Sequence, residues 1–116
     1  MKTFDSVDSL ALAASRFAAL GSEQRLTVLR LLVRAGPEGL RIGELGEKTG
    51  IGGSTLTHHV KILTQAGLVL QEKQGRSVIC AAVAYDDLKD LADFLIENCC
   101  ADAPACVHES EGNPDD

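Results

Sequence analysis

Within residues 42–83 the spacing of apolar side chains switches from helical to alternating at Gly67, and this switch constrains the fold more than any other feature. Before it, Ile42 and Leu45 mark a short helix ending near Thr49, and Gly50 stands where a left-handed C-cap is expected. A tight turn follows. Ser54 and Thr55, types that satisfy the free N–H groups at a helix start, open the next segment, where Leu56, Val60 and Leu63 recur at spacings of four and three. Beyond Gly67, residues 68–73 and 76–83 alternate like strands around the dipeptide Gln74-Gly75 and predict a hairpin. Two short helices joined by a glycine turn form a helix-turn-helix, the second helix fits the major groove of DNA, and the hairpin supplies a wing.

The flanks extend the same pattern. Residues 5–20 begin with Asp5 and Ser6 and place Leu10, Ala13, Ala14, Phe17 and Leu20 at helical spacing. Gly21 ends that helix. Ser22 caps a second one, in which Leu26, Leu29, Leu32 and Val33 form an apolar stripe while Arg25, Arg30 and Arg34 face outward, until Gly36, Pro37 and Gly39 stop it. A last helix is expected over residues 85–99, with Leu88, Leu91, Ala92, Leu95 and Ile96 on one face. Pro104 and the closing run of residues 109–116 predict a frayed acidic tail. The expected architecture is mainly α, a winged helix-turn-helix of five helices and a small β-hairpin. It occupies residues 1–100 as a DNA-binding and dimerisation domain, followed by a tail over 101–116 that carries Cys106. With 116 residues, no Trp, one Tyr and three Phe, the chain has material for one small aliphatic core, which burial against a second copy would help.

The net charge of −6 argues against a nucleic-acid partner only as an average. Residues 16–76 carry nine Lys or Arg against five acids, a balance of +4, whereas residues 77–116 carry one Lys against ten acids, a balance of −9. A basic reading surface is thus segregated from an acidic end. No apolar stretch approaches the roughly 20 residues of a membrane span, and the expected setting is cytoplasmic and reducing, where four Cys are not a disulfide framework. An enzyme is not expected: no nucleophile triad, metal-hydrolase or phosphate-loop constellation is present, and His58 and His59 have no carboxylate nearby in their helix.

The outer side of the second short helix offers Thr55, Thr57, His58, His59 and Lys61, whose hydroxyls, imidazoles and ammonium reach phosphates and base edges, and Arg76 at the wing turn adds a cation for an adjacent groove or the backbone. Pattern alone leaves open that this face is only solvated. At GGSTLTHHVKILTQAGLV (52–69), the wing turn QGR (74–76) and LGSEQRLTVLRLL (20–32), however, the chain resembles the ArsR/SmtB family of small metal-responsive repressors. That resemblance implies a winged-helix homodimer, paired through the first and last helices, that sits on palindromic operator DNA and releases it when an inducer binds. It places DNA contacts at Ser54, Thr55, Thr57, His58, His59 and Arg76. Gly52-Gly53 departs from the polar residues common in relatives.

Cys99 and Cys100 stand at the end of the last helix, and Cys106 lies beyond the Ala103-Pro104 break, which lets three sulfurs converge. Three soft thiolates without a fourth protein donor suit As(III) or Sb(III) as inducer; His108 as a fourth ligand keeps Zn(II) or Cd(II) open. The paired Asp/His and His/Glu positions that mark the family's zinc sensors are missing from the last helix, and RIGELGEK (41–48) replaces the third-helix cysteine motif of one arsenic-sensing class. The Cys-Cys-x5-Cys arrangement resembles arsenic-responsive members with a C-terminal site. A thiol-redox or persulfide response of the same cysteines is a further alternative. Cys80, on a wing strand, is expected in the core or idle at the surface.

Overall fold

The computed structural model describes residues 7–104 and runs α1 (Val7–Ala19), α2 (Glu23–Ala35), β1 (Leu40–Arg41), α3 (Ile42–Thr49), α4 (Gly53–Gln65), β2 (Val69–Gln74), β3 (Ser77–Ala82), α5 (Tyr85–Ile96). Cys106 and His108 lie outside the described residues. Capping chemistry sets several boundaries. Ser22 takes the backbone N–H of Arg25 on its hydroxyl at 3.3 Å, and Gly36, at φ +82°, ends α2 by donating its N–H to the Leu32 and Val33 carbonyls. At the end of α4 the N–H of Leu68 reaches the Leu63 carbonyl and that of Gly67 the Thr64 carbonyl, both at 3.0 Å, with Gly67 at φ +79°. This is a Schellman closure, and it turns the chain from α4 directly into β2.

The three strands form one antiparallel sheet in the order β1-β3-β2. Two features differ from the expectation. Gln74 pairs with Ser77, so the two-residue loop is Gly75-Arg76 rather than Gln74-Gly75. A glycine at φ +62° in the first loop position, followed by a residue without positive φ, matches the primed turn whose twist suits a hairpin, and it puts Arg76 in the turn itself. The strand β1 was not expected, because two residues carry no readable period. Gly39, at φ +70°, precedes it, and a Cβ there would collide with the Cys80 carbonyl; the glycine lets Leu40 pair with Cys80.

The core gathers Val28, Leu29 and Leu32 of α2, Leu45 of α3, Leu56, Val60 and Leu63 of α4, Leu68, Val69, Cys80, and Leu91 of α5. Because α2 packs against α3, α4 and β3, its buried side centres on 28, 29 and 32. Leu26 and Val33, expected in the buried stripe, are instead 43% and 50% exposed. In α1 the small Ala13 and Ala19 are buried while Leu10 and Phe17 are exposed, and of the described α5 side chains only Leu91 is buried while Leu95 and Ile96 are exposed. The helix α5 stops at Ile96, three residues before the expected end, and a turn carries Cys99 and Cys100. No described helix is long and apolar enough to cross a membrane.

Candidate nucleic-acid interface and cysteine site

The turn between α3 and α4 is built from local hydrogen bonds. Gly50, in the left-handed region at φ +73°, donates its N–H to the Gly46 carbonyl at 2.8 Å. Thr49 Oγ1 donates to the Leu45 carbonyl at 2.8 Å and accepts the N–H of Ile51 at 3.2 Å. The Gly50 bond closes the end of α3, the Thr49 hydroxyl back-bonds to its own helix, and its bond from Ile51 fixes the first residue of the turn that leads into α4. The α4 helix begins one residue earlier than Ser54, with Gly52 as its N-cap. Ser54 and Thr55 therefore belong to its first turn. A Cβ added at Gly52 or Gly53 would meet no atom within 4 Å, so nothing in the protein's own packing requires glycine there.

Two stripes run along α4. Leu56, His59, Val60 and Leu63, spaced i, i+3, i+4 and i+7, are buried; Ser54, Thr57, His58 and Lys61, with the same spacing, are exposed together with Thr55. The structure thus gathers five of the expected reading residues on one open face. Arg76 is exposed at the wing tip, on a hairpin tied to α4 through the Schellman turn and the α4–β2 packing.

His59 departs from the expectation that it faces outward, since only 8% of it is exposed. Its Nδ1 lies 3.3 Å from Arg25 Nη1 and its Nε2 lies 2.9 Å from Gln24 Oε1. A guanidinium only donates, so Nδ1 accepts from Arg25 and the Nε2–H donates to Gln24. Burial foremost, then the Arg25 charge and the neighbouring His58, hold the His59 pKa below its ordinary value. His59 is a neutral connector between α4 and α2 rather than an exposed donor. Its place three residues after Leu56 and four before Leu63 was the sequence signal for this burial. Gln24 and Arg25 carried no such signal, because what they touch lies 35 and 34 residues away.

In the turn after α5, Cys99 Sγ and Cys100 Sγ lie 3.6 Å apart, with Cys99 exposed, Cys100 half-buried and the Cys100 backbone at φ +62°. That separation is shorter than twice a metal–thiolate bond, about 4.6 Å in all, so one ion can hold both sulfurs. Among the described residues no group of three or more His, Cys, Asp and Glu is arranged to hold a metal ion. The third expected sulfur, Cys106, and the optional His108 fall outside them. Cys80 is fully buried in the core on β3, the first of the two expected placements, and burial pushes its thiol pKa up.

Residues 20–72 match the helix-turn-helix domain family. The chain carries a winged helix-turn-helix. An uncharacterized HTH-type transcriptional regulator of Bacillus subtilis, YceK, is 42% identical over 64 residues, 55% of this chain and 63% of that protein. The chain spans less than two thirds of the length of the curated relatives it matches. An ArsR-like transcriptional regulator from Rhodococcus shares the fold at TM-score 0.68 and 28% identity, over 83% of this chain and 86% of that one. A homodimeric winged helix-turn-helix DNA-binding domain from Mycobacterium bovis, Mb0332, superposes at TM-score 0.66 and 19% identity over 90% and 93% of the two chains. Structural neighbours of the chain are ArsR-family winged-helix regulators, and the matched relatives are regulators rather than enzymes.

Proposed function

We propose that this protein is a DNA-binding transcriptional repressor of the ArsR type that works as a homodimer on operator DNA and lets go when thiolates capture trivalent arsenic or antimony. The observation that carries the DNA reading is the split of α4 into a buried stripe and an exposed one bearing Ser54, Thr57, His58 and Lys61, with Thr55 beside it and a cationic wing tip at Arg76. Phosphate contacts from Lys61 and Arg76 would position the helix, while the hydroxyls and the His58 imidazole address base edges. The small residues at 52 and 53 leave room for close approach at the start of α4. A cytoplasmic, reducing setting keeps the thiols available.

For the inducer, the paired sulfurs of Cys99 and Cys100 support capture of one thiophilic ion, with Cys106 as the third donor. The ligand derepresses only as far as it prefers the form that does not bind DNA. In the test, fluorescence anisotropy follows the protein on labelled DNA from upstream of its own gene, titrated with As(III), Sb(III), Cd(II), Zn(II) and an oxidant. As(III) or Sb(III) is expected to release the DNA. Changing Cys99, Cys100 or Cys106 to Ser is expected to abolish release and spare affinity. Full response of the triple Ser variant overturns the thiolate site, release by oxidant alone assigns redox sensing, and failure to bind any DNA at low salt overturns the repressor reading.

A further inference from the structure

Two arginines tie the C-terminal end of α1 to the reading helix. Arg25, in the first turn of α2, donates from Nε to the Ala19 carbonyl at 2.7 Å and from Nη1 to His59 Nδ1 at 3.3 Å. Arg16, in the last turn of α1, donates from Nε to the Ala66 carbonyl at 3.0 Å, at the C-cap of α4. Both carbonyls are helix-end groups that lack an intrahelical donor, and the planar fork of a guanidinium can serve two elements at once. The seat of Arg16 is kept open by Gly67, where a Cβ would lie 2.9 Å from Arg16 Nη2. His59 is held from its other nitrogen by Gln24, so α4 is fixed in its middle and at its end.

We propose that Arg16 and Arg25 are positioning residues for operator reading, setting the tilt and depth at which α4 presents Ser54, Thr57, His58 and Lys61 and passing any displacement of α1 on to α4. This rests on the DNA-reading role proposed for α4. Both arginines spend donors inward on protein acceptors, unlike Lys61 and Arg76, which are exposed. Recognition tolerates misplacement of only about 0.5 Å or 10–20° in a reading element, so loosening these ties weakens DNA binding without removing a DNA contact.

The test separates positioning from phosphate contact. DNA affinity is measured against salt for the wild type and for Arg25→Ala, Arg25→Lys, Arg16→Ala and Lys61→Ala, with circular dichroism to establish folding. Lysine keeps the charge but replaces the planar fork, whose Nε and Nη1 reach Ala19 and His59 separately, by a single point donor, so Arg25→Lys is expected to lose on the order of tenfold in affinity, as Arg25→Ala does, with the salt slope of the wild type. Arg16→Ala is expected to weaken binding with the same unchanged slope. Lys61→Ala should lower the slope by about one unit. Hydrogen exchange without DNA should quicken at the α4 amides in Arg25→Lys and leave the α2 interior unchanged, which decides the matter should Arg25→Ala fail to fold. Wild-type affinity in Arg25→Lys, or a slope reduced by about one in Arg25→Ala, overturns the proposal. Wild-type protein that binds no DNA overturns the reading role instead, and the exchange result then stands apart from it.

Discussion

His59 shows what a single residue does here. Its imidazole sits between Arg25 and Gln24 and is neutral, with a pKa below its ordinary value. The unfolded chain takes up a proton on this ring near pH 6.5, roughly the ordinary histidine value, while the folded protein resists it. The contribution of His59 to stability is therefore complete above that pH and is lost as pH falls through the folded-state pKa. Thermal denaturation followed from about pH 7.5 downward is expected to show falling stability below about pH 6.5, and His59→Gln, which does not titrate there, should flatten that part of the curve. An unchanged pH dependence in His59→Gln would remove this connector from the account. The residue types of α4 were legible as a polar reading face, but the side on which His59 lies follows from spacing that its chemistry obscured, since a histidine suits both a groove and a core.

Among the elements, the wing and reading helix act together because the Schellman turn at Gly67 leaves no slack between α4 and β2. The hairpin loop Gly75-Arg76 puts the guanidinium at the tip. Arg76→Ala is expected to weaken DNA binding across sequences alike and to lower the salt slope by about one, as loss of one phosphate contact does, and salt-titrated anisotropy on specific and unrelated DNA checks both. Loss confined to one sequence would instead mark Arg76 as a base reader. The helix–turn–helix–hairpin order was readable because helical and alternating periods are separated by glycines with definite backbone duties. The strand β1 was not, because Leu40 and Arg41 pair with the distant Cys80 and Ile79 of β3.

For the molecule as a whole, α1 and α5 pack against one another and each leaves large apolar side chains exposed: Leu10 at 58% and Phe17 at 38% on α1, Leu95 at 70% and Ile96 at 61% on α5. Under the homodimer proposed above, a second copy of the chain covers these faces and sets the two reading helices to half-sites about one turn of DNA apart. Sedimentation of the wild type at micromolar concentration is expected to give a dimer, and Phe17→Glu with Leu95→Asp a folded monomer with much weaker operator binding. A monomeric wild type would overturn the pairing. The segregated charge fits this arrangement. Asp86, Asp87, Asp90 and Asp93 lie on α5, the helix that leads into the cysteine turn, whereas the basic residues cluster in residues 16–76. The exposed Lys89–Asp93 pair, at 2.8 Å, adds little to stability.

The order and kind of the five helices and of the β2–β3 hairpin were legible in the amino-acid sequence, because glycine conformation and hydrophobic period are local signals, whereas β1 exists only through its pairing with the distant β3. The same local code placed Ser54, Thr55, Thr57, His58 and Lys61 on one helix. Packing between elements settled which apolar residues stay outside, from Leu10 and Phe17 to Leu95 and Ile96, since that depends on which neighbours each helix meets. It likewise turned His59 inward and directed Arg16 and Arg25 onto the ends of other helices, contacts between residues 50, 34 and 6 positions apart that no local pattern encodes.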